Sequence, residues 1–217
     1  MANHQQAARG DLRVYLTIDT LQPQFAAYLG TPTRARGYPP YAGQHALIIE
    51  VAPGLMIERV IDLALKADPD LEPGILFVER QFGILEIHGP DKDRLMQAGQ
   101  AMLDKLGLDA AEQLAAKILY TDVIEDIADQ HAVIINRNRQ ASMVLPGETL
   151  LIVEMVPALY AAVAANAAEK VAPGLTLVDV QMIGAAGRLY MSGTTADVRA
   201  GLAEIERVLA AIKGRAA

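Results

Sequence analysis

Two pairs of closely spaced carboxylates are the first residues of this sequence whose types could bind a cation. Asp68 and Asp70 stand in "ADPDL", and Asp91 and Asp93 stand in "GPDKD". Carboxylate oxygens suit hard divalent cations, but aspartates beside helix and strand ends commonly cap backbone N–H groups instead. Because both pairs fall in predicted turns between a helix and a strand, we interpret them as caps and predict no metal site.

The histidines are too scattered to form a metal or catalytic centre. His4, His45, His88 and His131 form neither an HxxxH nor an HExxH pair. The sequence also contains no G-x-S-x-G elbow, no Walker A loop and no G-x-G-x-x-G fingerprint. We therefore predict neither catalytic residues nor a cofactor, and an enzyme is the least favoured class.

A charged pair in a short predicted turn is the remaining candidate for function. Glu79 and Arg80 lie in "FVERQFG", between the apolar runs "ILFV" and "GILEI". Exposed ion pairs contribute only about 0–1 kcal/mol each, so their paired and separated arrangements differ little in free energy. On these residues alone, the simplest interpretation is a solvated hairpin tip.

Composition and charge exclude several classes of function. The chain has 19 Lys and Arg against 26 Asp and Glu, a formal net charge of -7, and no basic run, which argues against nucleic-acid binding. It has no cysteine, which excludes disulfides, thiolate metal sites and cysteine nucleophiles. The polar start "MANHQQAARGD" does not resemble a signal peptide, and no apolar stretch reaches the roughly 18 residues of a membrane span. These features predict a soluble cytoplasmic protein.

The sequence contains an internal repeat. A shift of 104 positions aligns residues 47–93 with 151–197 without a gap, at 13 identical positions. A shift of 106 places 21–29 on 127–135. A repeat of this length indicates two copies of one domain. The predicted segments are a flexible tail at 1–11, a first domain at 12–110 and a second domain at 111–217.

Each copy has the pattern of a small α+β domain. "DLRVYLTID" alternates as a strand does, and "LQPQFAAYL" predicts a short helix with Pro23 in its first turn. After a Gly- and Pro-rich loop at 30–44, "HALIIEVA" predicts a strand, "GLMIERVIDLALKA" a helix, and "ILFVER" with "GILEIHG" a tight hairpin. A last helix ends at Gly107. The order β-α-β-α-β-β-α predicts a small, mostly antiparallel, four-stranded sheet with helices packed on one face.

Several of these segments resemble one known family. "LIIEVAPGLMIERVIDLALKA", the turn "VERQFG" and its counterpart "MIGAAGRLYMSG" resemble the tandem-domain shell proteins of bacterial microcompartments. "YLTIDTLQPQFAAYLGT" and "HAVIINRNRQASMVLPG" are similar to the permuted, trimer-forming members found in carboxysome shells. The resemblance spans roughly residues 12–212. It implies two tandem, circularly permuted microcompartment domains in each chain.

The resemblance implies a function without bond chemistry. In that family three chains form a pseudohexagonal tile, tiles pack edge to edge into a shell, and a central pore passes small metabolites. In the carboxysome-like subgroup two trimers stack face to face, and the pore opens and closes. We therefore expect a homotrimer in the shell of a cytoplasmic microcompartment, with other shell proteins as partners and small metabolites in transit. Arg80 in an open pore would favour anions.

The resemblance also assigns residues to the pore. A trimer of two-copy chains brings three copies of each hairpin turn towards its axis. Glu79 and Arg80 would then gate the opening, and the second turn, which carries almost no side chain, would leave room for them to move. The residues assigned to the pore are Glu79, Arg80, Gln81, Phe82, Gly83, Gly184, Ala185 and Ala186.

Lys66 and Lys170 end corresponding helices at "DLALK" and "NAAEK". A cation at a helix C-terminus is favourable by about 0.3–1 kcal/mol, which is a sufficient structural explanation for both lysines. The resemblance implies a second role, because shell proteins place a lysine at this point on the tile edge, along its counterpart in the next tile. The two interpretations are compatible.

One function from a different class stays open beside the shell tile. A trimer that binds a small effector at its interfaces, and regulates rather than encloses, also fits a repeated α+β domain. Such a regulator would not form extended sheets, whereas a tile would. The sequence does not distinguish a carboxysome from a catabolic compartment.

Overall fold

The computed structural model describes residues 10–31 and 37–216, and its helices and strands form two series in the same order. The first series is β1 (Asp11–Ile18), α1 (Pro23–Leu29), β2 (His45–Ala52), α2 (Met56–Ala67), β3 (Glu72–Glu79), β4 (Phe82–Gly89) and α3 (Lys92–Leu106). The second is β5 (Lys117–Ile124), α4 (Asp129–Asn138), β6 (Thr149–Val156), α5 (Tyr160–Val171), β7 (Thr176–Gln181), β8 (Gly187–Gly193) and α6 (Thr195–Ala211). Most of the predicted tail, including His4, and part of the 30–44 loop lie outside the described residues.

The predicted repeat is confirmed by the element boundaries. The bounds of β2 and α2 match those of β6 and α5 at a shift of 104, and the bounds of β1 match those of β5 at a shift of 106. Even the irregularities recur, because the register breaks between Leu12 and Val14 in β1 and between Ile118 and Tyr120 in β5. The boundaries at 12–110 and 111–217 remain a prediction.

Each series forms a four-stranded antiparallel sheet, as predicted. The strand orders are β1-β2-β4-β3 and β5-β6-β8-β7. On one face of the first sheet, Leu47, Ile49 and Leu85 pack against α2 and α3 in a single apolar cluster. The corresponding face of the second sheet packs against α5 and α6, which also contact each other.

Helices lie on both faces of the sheets, and the prediction of a single helical face was wrong. Tyr28 and Leu29 of α1 lie beside Ile75 and Phe77 on the opposite face of the first sheet, and α1 also contacts α5 and β7. In the second copy, α4 covers the equivalent face through a smaller apolar cluster. The physical reason is visible in β2, whose central residues are all buried and whose apolar run therefore needs cover on both sides.

The two copies share a continuous interface within the chain. The backbone N–H groups of Gln24 and Phe25, in the first turn of α1, donate to the Glu169 carboxylate at 2.8 and 3.0 Å. Asn166 accepts from the Gln22 N–H at 2.8 Å and donates to the Thr20 carbonyl at 3.0 Å. Side chains of α5 in the second copy therefore cap the first helix of the first copy. None of the helices within 10–31 and 37–216 is long and apolar enough to cross a membrane.

Candidate functional site

The hairpin between β3 and β4 holds the predicted charged pair on a two-residue turn. Glu79 pairs with Phe82 across the strands, which leaves Arg80 and Gln81 at the tip. Arg80 has a φ of 51°, in the left-handed region that residues other than glycine seldom occupy. Such a conformation costs about 1–3 kcal/mol and persists where the surroundings impose it. The hairpin therefore presents a long cationic side chain from a backbone position that favours glycine.

The Arg80 side chain is free to change direction. It is 88% exposed, and its Nε lies 3.7 Å from Glu79 Oε1, beyond normal hydrogen-bond distance. Glu79 is the more buried partner, with its side chain 25% exposed. Because so weak a pair contributes little free energy, Arg80 can leave Glu79 without a large penalty.

The base of the hairpin is fixed by a close backbone approach at Gly83. A Cβ atom at this position would lie 2.1 Å from the Gly54 carbonyl oxygen and 2.6 Å from Ile57 Cβ. Gly187 repeats the arrangement, with a Cβ position 2.3 Å from the Ala158 carbonyl oxygen. Only glycine fits at either position, and β4 and β8 thereby press against the connections that precede α2 and α5.

The second hairpin is looser than the tight turn that the sequence predicted. Pairing between β7 and β8 stops at Gln181 and Arg188, so residues 182–186 form a loop. Gly184, at the position of Arg80, has a φ of 130°, and a Cβ atom there would meet nothing within 4 Å. Ala186 stands at the position of Phe82 in this loop and offers little side chain for a cross-strand pair.

The chain itself brings the two hairpins close to one another. A cavity of about 570 Å³ lies between α1 and the ends of β3 and β7, and Glu79 lines it together with Met182 and Ile183. Tyr28 and Phe77 form the wall from the first copy. Gly184, Ala185 and Ala186 do not line this cavity. The structure therefore places Glu79 beside the start of the second loop.

Sequence reasoning missed two residues next to the charged turn. Arg13 Nε donates to Glu50 Oε1 at 2.6 Å, and the Arg13 guanidinium lies 3.8 Å from the centroid of the Phe82 ring. Glu50 is 1% exposed, and burial raises the pKa of its carboxyl while Arg13 opposes that shift. One feature of the sequence could have predicted the ion pair of Glu50. Glu50 and Glu154 stand at the same point of two apolar strands, where a carboxylate needs a cationic partner.

The paired aspartates are occupied by structural contacts. Arg94 donates to Asp68 at 2.8 and 2.5 Å and to Asp70 at 2.8 Å, and these contacts, with Asp70 foremost, raise the pKa of Arg94. Asp91 Oδ1 accepts from the N–H groups of Asp93 and Arg94 and caps α3, as predicted. Throughout the described ranges, no group of three or more His, Asp and Glu is placed to hold a metal.

The two lysines lie in the last turns of α2 and α5, where the sequence placed them. Lys66 Nζ lies 2.8 Å from Asp62 Oδ2 on the preceding helical turn, and both side chains are exposed. Their positions confirm the helix-terminal interpretation. A contact between neighbouring tiles remains a prediction for both.

The fold and these hairpins define a class of protein. Two permuted α+β domains of the same strand order in one chain are typical of tandem-domain microcompartment shell proteins, and the family model described as the CsoS1D N-terminal domain matches residues 12–112. The chain belongs to the family of carboxysome-type bacterial microcompartment shell proteins. It is 40% identical to the carboxysome shell protein CcmP of Synechococcus elongatus over 205 residues, which cover 94% of each chain. It is 41% identical to the carboxysome shell protein CsoS1D of Hydrogenovibrio crunogenus over 189 residues, or 87% of this chain and 90% of the relative.

Two solved structures share the fold at high sequence identity. The double-ringed trimeric shell protein MSM0271 from the RMM microcompartment is 61% identical, with a TM-score of 0.93 over 96% of this chain and 100% of the other. The fused permuted hexameric shell protein MSM0275 from the same microcompartment is 49% identical, with a TM-score of 0.89 over 94% and 98% of the two chains. The family resemblance and the fold class predicted from the sequence are thus confirmed.

Proposed function

We propose that this chain is a structural shell protein whose trimers form pseudohexagonal tiles of a bacterial microcompartment, with a central pore gated by Glu79 and Arg80. The shell role rests on the family. The gate rests mainly on one observation, an exposed and weakly paired arginine held at the left-handed position of a tight turn whose second copy carries glycine. In this role the protein guides small metabolites and catalyses no reaction.

The trimer is supported by a difference between two equivalent helices. Most of α5 is buried, because residues of the first copy cover the face of α5 that the sheet of the second copy leaves free. The corresponding face of α2 has no such cover among the described residues. Leu159, before α5, is 0% exposed, whereas Leu55, at the same point before α2, is 76% exposed. The apolar face of α2 is exposed although the equivalent face of α5 is covered. This difference indicates that another chain covers the face of α2.

The matching cover is α4. In α1, Phe25 and Tyr28 bury themselves against the second copy, and the Tyr28 hydroxyl donates to the Val180 carbonyl. The equivalent residues of α4, His131 and Ile134, are exposed, Ile134 to 61%. Placing α4 of one chain on α2 of the next repeats the intrachain contact between chains. Such head-to-tail contacts form a closed ring when the rotation closes, and a ring of three chains contains six domains.

The ring would put three Glu79–Arg80 turns in equivalent positions about the axis. Their weak pairing makes two arrangements nearly equal in free energy, one with Arg80 folded back on Glu79 and one with Arg80 extended into the opening. A ligand that prefers one arrangement shifts the population by its difference in affinity. An extended Arg80 would also favour anionic metabolites in transit.

Removing both charged side chains should leave the pore permanently wide. We expect electron microscopy of Glu79→Ala/Arg80→Ala trimers to show a single, enlarged axial opening, because alanine side chains cannot reach across it. The control is Glu204→Ala/Arg207→Ala, which removes from α6 a pair of the same residue types with a similarly half-buried glutamate and exposed arginine. A double variant whose axis remained closed, or changed no more than the control, would contradict the gate.

A trimeric regulator is the alternative function, and the 570 Å³ cavity beside Glu79 is the observation that favours it. Electron microscopy of the concentrated protein separates the two functions. Tiles are expected to form hexagonal sheets whose edges carry Lys66 and Lys170. Discrete trimers at every concentration, with no sheets, would favour the regulator.

A further inference from the structure

The contact between Arg13 and Phe82 gives the charged turn a fixed base. We infer that Arg13 is a positioning residue, which holds the Phe82 side of the turn in place so that the Arg80 side chain moves on a fixed turn backbone. The functional effect of this role rests on the gate proposed above, whereas the contacts that support it lie within one chain. Arg13 lies at the register break of β1, and a bulge of this kind re-aims a side chain.

The guanidinium of Arg13 makes two contacts of different kinds. One edge binds the buried Glu50 carboxylate at 2.6 Å, and the planar group lies over the Phe82 ring at 3.8 Å from its centroid. Arg stacks on an aromatic ring and binds a carboxylate at the same time, which the compact ammonium of Lys does less well. Phe82 is the first residue of β4 and pairs with Glu79, so the stacked ring anchors one side of the turn.

The buried end of this chain of contacts reaches the second copy. Tyr160, the first residue of α5, donates its hydroxyl proton to the Leu114 carbonyl, and its oxygen lies 3.2 Å from Gln113 Oε1, which accepts from the Tyr15 N–H. Burial, and then the charge of Glu50, raise the pKa of Tyr160. The Arg13 backbone carbonyl accepts from the Leu114 N–H at 2.9 Å, so Arg13 connects this junction to the turn.

The second copy shows what happens without this arrangement. Leu119 stands at the position of Arg13, and Ala186 at the position of Phe82. Glu154, the counterpart of Glu50, instead binds Arg188 of β8 at 2.9 Å, away from the hairpin tip. Strand pairing then stops two pairs before the tip, whereas in the first copy it continues to Glu79 and Phe82. The copy with the stacked arginine is the copy whose strands pair up to the turn.

A single spin label can test this inference, because the natural chain contains no cysteine. Gln81→Cys places the label at the tip of the turn in the full-length protein. We expect the continuous-wave spectrum to show a largely immobilised label. Phe82→Leu, which keeps the Arg13–Glu50 pair and removes the ring, should raise the ratio of mobile to immobile label about tenfold, the effect of a contact in the range of a desolvated cation–π pair.

Arg13→Lys in the same labelled background should increase mobility in the same direction while leaving the buried carboxylate with a cation. Arg188→Lys is the matched control, since it changes the equivalent ion pair of the second copy and should leave the label immobilised. An unchanged spectrum in both Phe82→Leu and Arg13→Lys would overturn the inference. Distances between labels on different chains address the pore separately, so labels that lie far apart would refute the axial gate while the mobility still reports on Arg13.

Discussion

Leu55→Asp is expected to convert the trimer into single folded chains. Leu55 is 76% exposed in the chain, so the substitution removes no intrachain packing. In the proposed tile the same side chain is buried by the neighbouring chain, as Leu159 is buried in the apolar cluster that the two copies share. Burying a leucine stabilises a contact by about 1.5–3 kcal/mol, and burying an unpaired carboxylate in its place is unfavourable. The change recurs at three interfaces, and each should weaken at least about a hundredfold.

Mass photometry at several concentrations measures this result directly. Circular dichroism should show unchanged secondary structure, which separates dissociation from unfolding. Val171→Asp is the control, because Val171 is also an exposed apolar residue but lies at the far end of α5, beside Lys170. We expect the Val171 variant to remain trimeric. A Leu55→Asp protein that remained trimeric at low concentration would show that chains meet through a different surface.

Gly83→Ala should destabilise the fold by about 3 kcal/mol or more, a value at the upper end of the effects of overpacking. The added methyl group would lie 2.1 Å from a backbone carbonyl oxygen, so β4 or the connection before α2 must move. Gly83 follows Phe82 directly, and the movement would also displace the base of the charged turn. Denaturant unfolding at one fixed protein concentration measures the loss, because subunit association makes apparent stability depend on concentration.

Gly89→Ala provides the comparison within the same strand. A Cβ atom at Gly89 would lie 3.0 Å from Leu71 Cδ2, the end of a flexible side chain that can move aside. We expect this variant to lose much less stability than Gly83→Ala. Equal losses for the two variants would show that the approach of β4 to Gly54 is not as tight as the structure indicates.

Much of the fold followed from the sequence because the repeat tested every element twice. The helices and strands recur at the shifts of 104 and 106, and Gly83 aligns with Gly187 where the same close approach recurs. Local signals also sufficed at the ends of α3, where Asp91 accepts backbone N–H groups and Gly107 adopts a left-handed conformation. These caps depend on residues that are close to one another in the sequence, so they can be predicted from a short segment.

The contacts between distant segments could not be predicted in the same way. Hydrophobic periodicity shows that a face is apolar and leaves open which segment covers it, so α1 was not expected to reach α5. The bulge that aims Arg13 at Phe82 depends on pairing between β1 and β2 and has no local signature. The early end of the second hairpin coincides with Ala186 at the position of Phe82, and Arg13, the partner of the Phe82 ring, lies far away in the sequence.

Glu169 and Asn166 cap α1 across the junction between the two copies, whereas on α2 an apolar residue replaces Glu169. At the same positions α2 carries Leu65 and Asp62. The two domains of one chain are tethered, so their effective concentration is high and their contact does not have to offset the loss of translational freedom. A contact between separate chains must offset that loss, and apolar residues such as Leu55 and Leu65 suit it better. After gene duplication, the contact between the two domains of one chain could therefore evolve towards precise alignment. The contact between separate chains kept the apolar residues that hold the chains together.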